Sequence, residues 1–134
     1  MSWTPGVIIR EAGDLGHVDI EFWIGGGTDV ILTGNAGFIR IPFAILITGW
    51  TILAKESGSI VVDVWRDTYA NYPPTVADTI AGSEKPTLSA AAKNQDLTLT
   101  TWTIALVKGD ILVFNVDSVT TCTKVLVVLH GTRS

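Results

Sequence analysis

The sequence predicts an all-β domain, an antiparallel β-sandwich of jelly-roll or Greek-key type. Three observations carry this expectation. Val, Ile and Thr, whose branched Cβ suits a pleated surface, make up one residue in three. From His17 to Ile24 the chain alternates, with Val18, Ile20, Phe22 and Ile24 on one face and His17, Asp19, Glu21 and Trp23 on the other. Turn signals then recur at intervals of roughly 8 to 12 residues, the spacing of short antiparallel strands. With 134 residues, the chain has the size of one domain, able to bury roughly 68 to 70 % of the surface of its unfolded form. We divide it into an N-terminal arm, residues 1–16, and a single sandwich domain, residues 17–134.

The first alternating strand ends at Gly25-Gly26-Gly27. Thr28 to Thr33 reads as its hairpin partner, closed by the turn signal Gly34-Asn35-Ala36-Gly37. Phe38 to Ile41 and Phe43 to Ala54 continue the β pattern, with Pro42 and Gly49 marking a bend or bulge. Ser57-Gly58 turns the chain into Ser59 to Trp65. The stretch from Thr68 to Lys93 holds three of the five prolines and reads as a long connection. Within it, Pro86 to Ser89 is expected to form a short strand and Ala90 to Lys93 one helical turn. Leu97 to Leu106 returns to strand with Trp102 near its centre, and Lys108-Gly109-Asp110 turns. Ile111 to Val116 and Thr121 to His130 complete the fold. Val125 to Leu129 and Ile60 to Val62 are apolar on both faces, so in an antiparallel sheet the second face also needs cover. A second copy of the chain is the expected cover, which makes a homo-oligomer the expected state.

Charge and composition exclude several partners. Charged residues are 16 % of the chain, against about 25 % on average. Nine Lys and Arg against 13 Asp and Glu leave a net charge of -4. No two basic residues are adjacent, so the basic patch that phosphate contacts need is missing and no nucleic acid is expected. The longest uncharged, mostly apolar run, Ile41 to Ala54, is too short and too broken by Pro42 and Gly49 to span a bilayer, so no membrane is expected either. The first residues carry neither a basic n-region nor an apolar h-region, which predicts no signal peptide. A single cysteine, Cys122, can form no intrachain disulfide.

Candidate chemistry is sparse. Asp19 and Glu21, two apart on a strand, share a face with His17 and Trp23, an arrangement open to acid/base work or metal ligation but common on solvated strand faces. Asp63 lies between Val61 and Trp65 on an apolar face and needs a partner there; Arg66 and Lys55 are the possible neighbours. His17 and His130 stand at opposite ends of the chain without zinc-site spacing. Cys122 among threonines reads as a small packing residue. Asp110 and Asp117 read as turn residues, and no serine stands in a nucleophile elbow. Gly25-Gly26-Gly27 lacks the Lys-Ser/Thr of a phosphate loop. No catalytic residue, cofactor or metal is therefore expected. The most distinctive segment is Trp65 to Thr75, where Tyr69, Tyr72, Pro73 and Pro74 can anchor a partner, stack on sugars, or pack against their own loop. Trp3, ahead of Pro5 and Gly6, is a second contact candidate.

These residues carry a family likeness. Gly49 to Leu53, Ser57 to Trp65, Asp67 to Pro74, Lys85-Pro86-Thr87 and Gly109 to Ser118 together resemble a β-sandwich domain of tailed-bacteriophage structural proteins, from about His17 to the last residue. The resemblance implies a non-enzymatic virion component and offers no catalytic residues. Size and the short arm favour a capsid decoration (cement) protein, made in the host cytoplasm and placed on the capsid surface. Its implied partners are the major capsid protein and copies of itself, with a trimer expected. The alternative is a tail-tip or fibre adhesin domain that binds host-surface glycan through the loop of Tyr69 and Tyr72.

Overall fold

The structure, a computed structural model, describes residues 7–11 and 16–134. Eight strands form it: β1 (Val7–Glu11), β2 (His17–Ile24), β3 (Gly34–Arg40), β4 (Ile45–Asp67), β5 (Thr87–Asp96), β6 (Ala105–Leu106), β7 (Ile111–Thr120) and β8 (Val125–Arg133). All pair antiparallel in one sheet of order β1-β2-β8-β4-β7-β3, with β5 and β6 on the remaining edge of β4. The described residues contain no α-helix, and one 3-10 turn, Val76–Asp78, is the sole helical element among them. The all-β, antiparallel expectation holds, and the sheet is curled into a half-barrel.

The curl originates in β4. Its first half pairs with β8 (Ile45↔Arg133 to Ala54↔Val125) and its second half with β7 (Ser59↔Thr120 to Asp67↔Ile111), while β5 follows the opposite edge. One strand of 23 residues thus carries both halves of the sheet. At the corner Gly58 is required, because a Cβ there would stand 2.4 Å from Thr121 Oγ1 and 2.8 Å from the buried Cys122 Sγ. The carboxylate of Glu56 fixes the same corner by accepting the Thr123 N–H at 2.7 Å and its hydroxyl, and these bonds hold its pKa below the ordinary value. The bulge between Ile47 and Gly49 resets the alternation, so that Ile45 and Ile47 before it and Trp50 and Ile52 after it all face inward.

The curl brings the halves face to face around one core. Val18, Ile20, Phe22 and Ile24 of β2 and Val125, Val127 and Leu129 of β8 meet Ile60, Val62 and Val64 of β4 and Leu112, Phe114 and Val116 of β7 in one buried cluster. Phe22 and Phe114 stack at 4.2 Å between centroids, although β8 and β4 separate their strands in the sheet. Each such fully buried side chain contributes roughly 1.5–3 kcal/mol.

Several expected elements differ. Thr28 to Thr33 is not a strand, and β2 makes no hairpin with it. The segment instead crosses the mouth of the half-barrel, tied by Gly27 N–H to Thr123 O and Ile31 N–H to Cys122 O, with Ile31 as a buried plug. Gly34-Asn35-Ala36-Gly37, expected as a turn, opens β3, and the tolerance of positive φ that marks turns serves a bulge between Asn35 and Gly37. Ser57-Gly58 bends β4 without ending it. Ala90 to Lys93 is strand, not a helical turn, because β5 pairs along β4 and absorbs its corner with Ala90 at φ 48. Leu97 to Ile104 is irregular, and only Ala105 and Leu106 pair. Part of the expected arm, Val7–Glu11, adds an edge strand to β2.

Part of the apolar second faces is covered from within the chain. Val128 of β8 is buried on the outer face, flanked across strands by Glu21 and Thr51. On the other half, the long connection pairs along the edge of β4, where Ile80 N–H donates to Val64 O and Val62 N–H to Pro86 O, and its Thr79 and Lys85 side chains reach the buried Asp63. Leu53 remains exposed beside half-buried Leu126 and Trp23.

Candidate binding surface

The outer face of the second half of the sheet places residues from β3, β7 and β4 in cross-strand rows. Arg40 lies opposite Ile111, which lies opposite Asp67; one step along, Phe38 lies opposite Val113 and Val113 opposite Trp65. Partners directly opposite share a face. The chain leaves β4 at Asp67 and turns at once, because the Asp67 carboxylate accepts the Thr68 N–H at 2.7 Å and the Asn71 side-chain amide at 3.3 Å. The Thr68 N–H chiefly holds that carboxyl below its ordinary pKa, so it is ionised at neutral pH. Two further bonds, Asn71 N–H to Thr68 O and Tyr72 N–H to Tyr69 O, close the turn.

This turn sets both tyrosines beside β3. Tyr72 meets Phe38 edge to face, 5.8 Å between centroids with planes at 65°. Phe38, Tyr69 and Tyr72, with Ile39, Arg40 and Ile111, line an open cleft of about 430 Å3. The rings are not packed away: Tyr69 is 84 % exposed, Phe38 58 % and Tyr72 45 %. Of the expected contact residues, Tyr69 and Tyr72 form the cleft, Pro73 is exposed on its flank and Pro74 is buried beneath the loop. Trp3 lies outside the described residues. Sequence reasoning misses Phe38 and Arg40, since Phe38 reads only as the start of a strand and nothing local links it to a loop more than thirty residues on.

The connection that follows the loop is tied to β4 by Asp63. Its side chain is 1 % exposed and accepts the Val64 N–H (2.9 Å), the Thr79 hydroxyl (2.6 Å) and the Trp65 indole N–H (3.0 Å). Its cationic neighbour is Lys85, at 3.6 Å, and neither Arg66 nor Lys55. Arg66 pairs with the buried Asp110, and Lys55 donates to Gly27 O. Lys85 also reaches Asp117 at 2.8 Å, and that bond first of all raises its pKa. Beyond, the backbone carbonyl of Glu84 accepts the indole N–H of both Trp50 and Trp102, each at 2.8 Å. The Glu84 carboxylate accepts the N–H groups of Thr100 and Thr101 and the Thr101 hydroxyl, which lowers its pKa to about 2.

The other acidic candidates meet on the outer face of the first half. Asp19 Oδ1 stands 2.8 Å from His130 Nδ1, and His130 Nε2 stands 2.7 Å from Thr51 Oγ1. His17 Nε2 reaches the same carboxylate oxygen at 3.3 Å. Carboxylate, imidazole and hydroxyl in this order resemble a hydrolase relay. Here the order follows from register, since Asp19 is directly opposite His130, and Thr51 is on the adjacent strand. It ties β2, β8 and β4 together across an open face. His17 and His130, at opposite ends of the chain, thus both touch Asp19. Glu21 takes no part. Among the described residues no group of three or more His, Cys, Asp or Glu is placed to hold a metal ion, and no helix is long and apolar enough to cross a membrane. Cys122 is free and buried, and burial pushes its thiol pKa up.

No family model matches this sequence, and no curated protein matches it.

Proposed function

We propose that the chain is a non-enzymatic structural protein of a tailed-bacteriophage particle, a decoration protein of the capsid surface that acts by contact with the major capsid protein and with copies of itself. The half-barrel, with Phe22 stacked on Phe114 across its core, reads as the sandwich of such domains, its two curled halves serving as the layers. The observation that carries a contact role is the exposed aromatic cluster of Phe38, Tyr69 and Tyr72 on a scaffold poor in charge. The strip of Leu53, Leu126 and Trp23 on the other outer face supports self-association, and a trimer is the assembly proposed.

The test is the copy number in purified virions relative to the major capsid protein, by quantitative mass spectrometry. Copies in the hundreds support decoration, a handful places the chain in the tail, and none removes the virion reading. A monomer mass by light scattering removes the self-association. A second reading, a tail-tip or fibre adhesin that binds host-surface glycan, is favoured by the same cleft, because Tyr69 is held by its loop in a nearly fully exposed position.

A further inference from the structure

We propose that the cleft of Phe38, Tyr69 and Tyr72 is a binding site for acidic sugars, in which Arg40 takes the sugar carboxylate and the aromatic rings take the C–H face of the pyranose. The proposal deepens the contact-surface reading and rests on it only for the location of the site; it holds for a copy on the head or on the tail.

Shape is the first argument. Phe38 and Tyr72 meet at 65°, so they form a corner with two ring surfaces instead of a flat patch. The cleft, about 430 Å3, falls in the range of small-molecule sites, roughly 300–1,000 Å3. Its lining joins an apolar wall, Phe38, Ile39, Tyr69, Tyr72 and Ile111, to one cationic group, Arg40, a combination that suits an acidic sugar.

Charge is the second. The molecule is acidic overall, yet the cation at the cleft is exposed and unneutralised. Lys85 and Arg66 are held in ion pairs, and Lys124 lies over the Trp23 ring. The Arg40 side chain makes no ion pair or hydrogen bond among the described residues. Its planar fork matches a carboxylate with two parallel N–H bonds. Lys108 stands in the adjoining turn, joined to the end of β3 by Gly109 N–H to Ile41 O, and adds a second positive charge nearby. Asp67 lies two strands away, about 10 Å, with its carboxylate engaged by Thr68 and Asn71. The cleft is therefore lined by one cation that no carboxylate pairs with, that of Arg40.

The experiment uses the full chain on an array that pairs uronic-acid and sialic-acid oligosaccharides with their carboxyl-reduced counterparts, followed by calorimetric titration of the strongest pair. Binding of acidic members, at least tenfold stronger than of their neutral partners, is the expected result. Phe38→Ala and Tyr72→Ala should each weaken it tenfold or more, and Arg40→Gln should remove the preference for acid while leaving weak binding of the neutral sugar. All three positions are exposed, so an unchanged melting temperature shows that each variant is folded. Binding of no acidic member overturns the proposal, as does equal affinity for acid and neutral partners or full binding by both aromatic variants. Absence from purified particles would remove the virion reading and leave a positive array result standing. A protein present on particles that binds no sugar would do the reverse.

Discussion

Replacing Asp63 tests the claim that a buried carboxylate ties the long connection, at Thr79, to β4. Asp63→Ala removes the acceptor of three hydrogen bonds, from Val64 N–H, the Thr79 hydroxyl and the Trp65 indole, and leaves those donors in a site that was 1 % exposed. Each bond to a charged acceptor is worth about 1.5–3 kcal/mol net, but bonds to one carboxylate are not additive. Lys85 is not orphaned, because Asp117 stays at 2.8 Å. The loss of a partner from a buried ionic cluster, about 3–5 kcal/mol, is therefore the expected cost. Against a total stability of about 5–15 kcal/mol this lowers the melting temperature by roughly 10–20 °C. Asp63→Asn keeps one acceptor oxygen but turns an amide donor toward other donors, so about 2–4 kcal/mol is expected. Lys85→Ala, at a partly exposed position, should cost only about 1 kcal/mol. Urea titration reads all three as shifts in midpoint at constant slope. Hydrogen exchange at Ile80, whose N–H donates to Val64 O, should accelerate in the first two. An Asp63→Ala variant within 1 kcal/mol of the parent would refute the reasoning.

Three further outcomes follow from the same structure. Glu84 has a folded pKa of about 2 against an ordinary 4.5, so its contribution is complete above pH 4.5 and is lost as the pH falls toward 2. Glu84→Gln should lower the melting temperature at pH 7, and the gap to the parent should close between those values. Gly25→Ala would place a Cβ 2.2 Å from Thr123 O at φ +87, where the carbonyl cannot move without breaking its bond from Gly27, and should cost about 2–4 kcal/mol by urea titration. Cys122, buried and with a raised pKa, should react with Ellman's reagent at the rate of global opening, at least about a hundredfold more slowly than the urea-unfolded chain.

The strands visible in the sequence are those whose pattern reflects one buried face. β2 alternates without exception from His17 to Ile24 because its inner face meets the core and its outer face stays wet. β4 reads in the sequence as two strands, since Ser57-Gly58 has the composition of a turn. A glycine that permits a turn also permits a tight corner within a strand, and only the close approach of Thr121 and Cys122 distinguishes the two. Ala90 to Lys93 shows the reverse conflict, a helix-forming run overruled by pairing with β4. The apolar outer faces call for cover, and local pattern cannot say whether a distant loop or a second copy supplies it. Asp63 marked the place, as an acid in an apolar run, but its partner Lys85 lies on the covering segment and not among its sequence neighbours.

The cleft was half legible for a related reason. Tyr69 and Tyr72 stood out because two tyrosines before Pro73-Pro74 are unusual locally. Phe38 and Arg40 belong with them only through β7, which pairs with β3 on one edge and with the end of β4 on the other. A surface assembled across three strands requires the register of each, and register is set by bulges such as that between Asn35 and Gly37. Had β3 paired one residue out of step, Phe38 would face the core and the buried Ile39 would face Tyr72. The bulge is thus as much a part of the candidate site as the rings. Closing it should abolish sugar binding without touching any residue that lines the cleft.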